Sequence, residues 1–288
     1  MTLASFAFLS LNGLTLAALL FLMASGLTLA FGLMRVVNLA HGAFYMLGGY
    51  VGVAVVDRTG SLLAGIGAGM LAGLLAGVAM ERLLLARVRG IELSEALLTI
   101  AIGMVVADGL LAAFGGHPKS LAVPESLRGR VDLGFVQYPG FRLGILVAAV
   151  AVGTGLALLL TQTRLGAAIR AGVDDRETAE SQGINVGGLF SIVFALASLL
   201  AGAAGVAGAS YFALAQDTGV RVLMLSLVVI IIGGLGSLAG AAAGAVITGL
   251  VTSFANAFAP QFALFVLFAP LAVVLAIRPQ GLFGRSAP

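Results

Sequence analysis

Three polar side chains lie close together in an otherwise apolar stretch near the amino terminus. Asn38, His41 and Tyr45 follow one another at intervals of four residues or fewer, which places them on one face of a helix. Amide, imidazole and phenol groups donate and accept hydrogen bonds, so this face can contact a polar solute. The alternative is that they cap the helix and form local hydrogen bonds where it begins, and both remain open.

Glycines accompany these groups and recur in the second half of the chain. Gly42 lies among the polar residues, and glycines from 233 to 236 interrupt a long apolar stretch. Glycine tolerates broken helices, whose freed backbone groups can meet a solute, and an interrupted helix in each half of a membrane chain is typical of a transport pathway. The predicted pathway residues are Asn38, His41, Gly42, Tyr45, Gly233, Gly234 and Gly236.

Residues that catalysis, metal binding or ATP binding would need are scarce. The sequence has no cysteine, and two histidines, His41 and His117, are too few for a histidine-based metal cage. No glycine–lysine pair occurs, so the chain cannot hold ATP in a P-loop. No serine, histidine and carboxylate set stands at a credible spacing, which makes an intramembrane enzyme the weakest interpretation. We therefore expect no catalytic residues, no metal and no cofactor on this chain.

Composition places these residues in a bilayer. Of 288 residues, 60% are hydrophobic and 9% are charged, whereas about a quarter of a soluble domain is charged. The net charge of +3 is scattered through the loops and indicates topology, not a nucleic-acid partner. At about 20 apolar residues per crossing, the chain has room for roughly eight to ten spans.

Nine apolar runs can be distinguished, each bounded by charges, glycines or prolines. Two of them, 41–56 and 222–238, are shorter than a crossing and could be half-helices or re-entrant segments. We predict an all-α membrane helix bundle with eight or nine transmembrane helices, some interrupted, in one domain (1–288). The runs are 6–34, 41–56, 61–80, 94–114, 141–161, 188–213, 222–238, 240–258 and 262–277.

Arginine clusters predict the orientation, because basic residues near helix ends stay in the cytoplasm. This rule assigns residues 82–89, the segment 161–188 and the tail with Arg278 and Arg285 to the cytoplasm. The loop 115–140 then lies outside. If all nine runs cross, the amino terminus is external and the carboxyl terminus is cytoplasmic.

Two further features allow more than one interpretation. Glycines at 65, 69, 73 and 77 form a smooth ridge on one helix face, which favours packing within the chain or, alternatively, an interface between subunits. Asp108 is a carboxylate within an apolar run, and such a group is either functional or placed near the outer end of its helix.

The segment 161–188 is rich in alanine, arginine and glutamate and predicts short helices on the membrane face. Asp174 and Asp175 can begin a second short helix there, and Gly183 can end it. The segment either docks a soluble partner or is a solvated connector.

Several ordered motifs together resemble the permease subunits of branched-chain amino acid ABC importers of the LivH type, over nearly the whole chain. They are GLTLAFGLMRVVNLAHGAFYMLGGY, RLGAAIRAGVDDRETAESQGINV, IIIGGLGSLAGAAAGA and the tail IRPQGLFGR. The resemblance implies an importer permease in the bacterial inner membrane. Its implied partners are a second similar permease, as a heterodimer or homodimer, two cytoplasmic ATPases that bind ATP with Mg, an external solute-binding protein and membrane lipid.

The resemblance also favours docking by the segment 161–188. Importer permeases present a loop similar to E-A-A-x-x-x-G to the ATPase, and Glu177 and Gly183 stand at that spacing, although Thr178 replaces the second residue. The expected coupling residues are Arg170, Asp174, Asp175, Glu177, Thr178, Ala179 and Gly183.

The expected mechanism is alternating access driven by ATP on the partner subunits. Alternatives are the same importer class acting on urea, amides or aromatic acids, an ion-coupled secondary transporter with Asp108 and His41 as relay groups, and a channel-like facilitator.

Overall fold

Helices occupy all nine predicted runs in the computed structural model, which describes residues 2–34, 38–134 and 136–284. This confirms the all-α class. The helices are α1 (Leu3–Met34), α2 (His41–Thr59), α3 (Leu62–Met80), α4 (Glu92–Phe114), α5 (Gly140–Gln162), α6 (Arg164–Asp174), α7 (Arg176–Ser181), α8 (Val186–Gly208), α9 (Thr218–Gly233), α10 (Leu238–Phe258) and α11 (Ala263–Ile277).

Shorter elements complete the described fold. A π-helical turn, Glu81–Leu85, and a short helical segment, Ala86–Val88, extend α3. Strands β1 (Arg130–Asp132) and β2 (Gln137–Pro139) form an antiparallel hairpin, with Val131 opposite Tyr138. Short 3₁₀ helices lie at Glu125–Leu127 and Pro260–Phe262.

Six helical segments of the described chain are long and apolar enough to cross a bilayer, namely α1, α3 with its extension, α4, α5, α8 and α10. The other helices in apolar runs are α2, α9 and α11. The sequence had marked α2 and α9 as possible half-helices. α9 has 16 residues, and α11 contains Pro270.

Two predicted boundaries are shifted in the structure. The run 222–238 becomes a helix that begins at Thr218 and ends at Gly233, because Gly234 and Gly236 adopt φ values of 102° and 79° that other residues avoid. Ser237 then caps α10 by accepting a bond from the Gly240 amide. Likewise, α8 ends at Gly208 and not at 213.

Both α2 and α9 begin inside the bundle. Just before α2, Ala40 lies beside Gly103, the central residue of α4, where an added Cβ would be 3.6 Å from its Cα. Gly219, the second residue of α9, packs against Gly42, the second residue of α2, and a Cβ on Gly42 would be 2.4 Å from the Gly219 carbonyl oxygen. The two helices therefore start from one point deep in the structure.

The glycine ridge of α3 packs within the chain, so the intramolecular interpretation is confirmed. A Cβ on Gly69 would lie 2.7 Å from the Gly48 carbonyl oxygen of α2, and a Cβ on Gly73 would lie 2.3 Å from the Ser198 carbonyl oxygen of α8. Such contacts need glycine because the opposing atoms belong to backbone. They bind α3 to α2 and α8 along its length.

The loop 115–140 is folded against the bundle. Lys119 and Leu214 exchange two backbone hydrogen bonds of 3.1 and 2.7 Å, which tie this loop to the segment before α9. The buried Tyr138 hydroxyl reaches Thr15, 2.9 Å away, and Asn12 of α1, 3.1 Å away. The segment before α9 is therefore held by this loop.

We expect Gly73→Leu to destabilise the protein, whereas Gly67→Leu should not. A side chain at 73 would meet backbone atoms of α8, and overpacking of this kind costs about 1–3 kcal/mol. Gly67 lies on the same helix with nothing within 4 Å of an added Cβ. The apparent Tm in detergent, followed by size-exclusion chromatography, should fall only for Gly73→Leu, and equal Tm values would contradict the packing.

Candidate functional site

A cavity of about 270 Å³ lies between α2, α4 and α9, where the two internal helix starts meet. Glycines at 42, 103 and 219 bring the three backbones to its wall. Gln216 and Tyr50 line its walls as polar residues. Most of the lining is apolar, and its larger aliphatic side chains are Leu39, Met46, Ile100, Met104, Leu110, Leu111, Leu223 and Met224.

The structure separates the predicted pathway residues of the first half. Gly42 lines the cavity, but the side chains of Asn38, His41 and Tyr45 are buried between helices. The Asn38 carboxamide accepts a 3.1 Å bond from the Ala40 amide, and His41 Nε2 lies 3.2 Å from the Met23 carbonyl oxygen. These contacts fit the helix-start role that the sequence left open.

Tyr45 points away from the cavity toward the end of α8. A Cβ on Gly208 would lie 2.0 Å from its hydroxyl oxygen, and that hydroxyl has no hydrogen-bond partner among the described residues. Its ring therefore occupies space that only glycine leaves free.

The second glycine group lies at the opposite end of α9 from the cavity. Gly233 accepts a 2.8 Å bond from the Phe283 amide, and Ile232 accepts one of 2.9 Å from Leu282, so the tail is held against the turn between α9 and α10. Gly234 contacts Gly281 closely. No residue of 233–236 is among those that line the cavity.

Sequence reasoning missed the polar group that begins α9. Asp217 and Arg221 form an ion pair at 2.5 Å, and both side chains are more than half exposed. Their i, i+4 spacing before an apolar run was the available signal. Asp108, exposed on α4 one helical turn from Met104, makes no described ion pair or hydrogen bond.

The segment 161–188 folds into α6 and α7. In α6, Gly166, Ile169 and Gly172 are buried, whereas Arg170 is exposed. The buried face rests on the bundle, and the opposite face is exposed. Asp174 lies on the exposed side at the end of α6.

Asp175 caps α7. Its carboxylate accepts bonds from the Thr178 amide and hydroxyl, and these bonds lower the pKa of the Asp175 carboxyl. Ala179 is buried, Glu177 and Thr178 are exposed, and Gly183 adopts a φ of 81° after the helix. The predicted coupling residues therefore extend from the last turns of α6 through α7 to the turn that follows it.

A buried carboxylate connects this region to α3 and α4. Glu81, in the π-helical turn, is 2% exposed, forms an ion pair with Arg89 and accepts a 2.7 Å bond from the Ser191 hydroxyl of α8. The guanidinium groups of Arg89 and Arg176 lie 4.6 and 5.6 Å from the Phe190 ring centroid. Arg89 and Arg176, which belong to two clusters that the sequence assigned to the cytoplasm, therefore lie against the same ring. Arg285 lies outside the described residues.

Comparison with known proteins gives consistent matches over almost the whole chain. Residues 9–275 match the family model of the permease component of branched-chain amino acid transport systems. The high-affinity branched-chain amino acid transport system permease protein BraD of Pseudomonas aeruginosa is 28% identical over 96% of this chain and 94% of its own length.

Two enterobacterial relatives give nearly the same figures. The corresponding permease protein LivH of Escherichia coli K12 is 29% identical over 95% of this chain and 94% of its own. LivH of Salmonella typhimurium is 29% identical, with the same coverage. No solved structure matches the chain. In the described residues, no group of three histidine or carboxylate side chains could hold a metal ion.

Proposed function

This chain belongs to the family of permease components of branched-chain amino acid transport systems, and we propose that it forms the membrane-spanning path of an ATP-driven importer for these amino acids. A member of this family is a transport component, not an enzyme. The observation that carries the substrate class is the full-length match to permeases named for branched-chain amino acids. The apolar cavity supports it, because aliphatic side chains suit such a lining.

The proposed assembly has a second similar permease, two ATPase subunits that bind ATP with Mg, and an external solute-binding protein. In this proposal the chain lies in the bacterial inner membrane as one domain. The loop 115–140 faces the binding protein, and the segment 161–188 faces the ATPases. Gly42 lies on the solute pathway, while Asn38, His41, Tyr45 and the glycines from 233 to 236 hold the helix ends that shape it.

Docking of the ATPase is assigned to the exposed side of α6 and α7. Arg170, Asp174, Glu177 and Thr178 present charged and polar groups there, whereas Ala179 and Gly183 fix the turn. Arg176 contacts Phe190, which also contacts Arg89. A displacement of α7 can therefore reach the π-helical turn of Glu81 through Phe190 and Arg89.

The ion-coupled alternative gains no support from the geometry. Asp108 is exposed on α4, while His41 is buried beside Met23, and no described contact connects the two. The mainly apolar lining also favours an aliphatic solute over urea or an amide.

Reconstitution tests the proposed function. Proteoliposomes that contain this chain, its companion permease and the ATPases should accumulate radiolabelled leucine only when ATP and the loaded binding protein are present. Each omission serves as a control. Leucine uptake by this chain alone under a proton or sodium gradient would contradict the importer and favour the secondary transporter.

Charge reversal tests the docking face. Glu177→Arg should release the ATPase from the purified complex. The substitution reverses the charge that this exposed position of α7 presents to the ATPase. Glu125→Arg, a 92% exposed carboxylate of the loop 115–140, is the matched control. Co-purification of the ATPase, measured as subunit ratio, should fall only for Glu177→Arg.

Arg89→Gln tests the link behind the docking turn. The buried Glu81 would lose its cation, and breaking a buried pair costs about 3–5 kcal/mol. The apparent Tm and leucine uptake should fall, whereas Arg87→Gln, exposed on the same segment, should leave both unchanged. The double variant Glu81→Gln with Arg89→Gln should recover part of the lost Tm, and no recovery would mean that the pair does not carry the effect.

A further inference from the structure

Charged side chains are exposed beside the cavity, and one of them, Asp108, lies within the candidate membrane span α4. Asp217 and Arg221 are 64% and 58% exposed at the start of α9, which lies inside the bundle next to Gly42. Asp108 is exposed on α4, between Met104 and Leu111, and both of these line the cavity. Val220 and Met224, on either side of Arg221, line it as well.

Other outward faces of the same bundle have no such groups. Residues 143–162 of α5 and 62–80 of α3 contain no charged residue, and their large exposed hydrophobic side chains include Val147 and Leu71. These faces suit lipid. Ionised groups facing lipid are costly and normally face water, a cavity or a partner. The face that carries Asp108, Asp217 and Arg221 therefore does not face lipid.

We propose that this charged face and the cavity together form the site for the zwitterionic substrate, an inference that rests on the proposed function. The guanidinium of Arg221 binds the substrate carboxylate, since it has donors beyond the one given to Asp217. The carboxylate of Asp108 binds the substrate ammonium group from the opposite helix. Asp217 acts as a positioning residue that holds Arg221.

The side chain of the substrate explains why the site lies beside a cavity. Asp108 and Arg221 each lie about one helical turn from an exposed methionine of the cavity lining, Met104 and Met224, so an amino acid bound by its two charges directs its side chain inward. Methionines adapt to differently branched aliphatic chains. This arrangement selects zwitterions with an aliphatic side chain.

The absence of cysteine in the native chain provides a direct test. Met224→Cys and Val147→Cys, introduced singly, place a thiol at the cavity wall and on the uncharged face of α5. In the assembled transporter in nanodiscs, a charged methanethiosulfonate reagent should label position 224, and leucine at millimolar concentration should slow labelling several-fold. Position 147 should remain unlabelled.

Analogues then test which charges matter. Protection of position 224 should require both charges, so 4-methylpentanoate and 3-methylbutylamine should fail where leucine succeeds. Asp108→Asn and Arg221→Gln should each abolish protection while the assembled complex keeps its subunit ratio. Equal protection by all three compounds, or by leucine in both variants, would overturn the proposal.

Failure here can be distinguished from failure of the importer itself. If position 224 resists labelling as position 147 does, a helix of the partner permease or lipid covers this face, and the site is wrong even where ATP-driven leucine uptake persists. If the wild-type assembly shows no such uptake, the proposed function fails first.

Discussion

Backbone groups that lie inside a bilayer must find partners within the protein, and two helices of this chain begin there. The partners come from side chains at each start. The Leu39 amide donates to Thr99, and the Ala40 amide donates to Asn38. At the start of α9, the hydroxyl of Thr218 accepts from the Ala215 amide and donates to the Ala213 carbonyl oxygen. The internal helix starts, and with them the cavity, depend on these few polar groups.

Close backbone contact is the second requirement for this arrangement. Gly42 and Gly219 allow the first turns of α2 and α9 to touch. Gly69 and Gly202 allow close backbone contact between α3 and α8. Since van der Waals packing drives helix association in lipid, the glycine content of this chain reflects the number of such contacts. A cavity remains open between α2, α4 and α9, and the apolar window of α4 is 11% buried, against 89% in α1.

Much of the fold followed from apolar runs, because a crossing needs a long segment with few charges. The short runs 41–56 and 222–238 were also recognisable, and neither α2 nor α9 is among the six candidate spans of the described chain. The direction of the polar face was not recognisable: a spacing of three or four residues puts Asn38, His41 and Tyr45 on one side but does not say what that side contacts. Met23 and Gly208, which they meet, lie far away in sequence.

The cavity's charged rim escaped prediction for a related reason. Asp217 and Arg221 precede an apolar run and so resemble loop residues, and the contact of Gly219 with Gly42 shows that the helix they begin starts against α2. The sequence singled out Asp108. The role of a carboxylate on one helix can be inferred, however, only when the helix on the opposite side of the cavity is known.

A series of side-chain and backbone contacts leads from α7 toward the cavity. Phe190 lies between Arg176 of α7 and Arg89, and Arg89 pairs with Glu81. The next residue, Gly90, donates a 2.6 Å bond to the buried Glu95 in the first turn of α4. Because α4 forms one wall of the cavity and its residues Leu98, Ile102 and Leu110 pack in the core, a displacement carried along these contacts acts on the cavity wall and the core together.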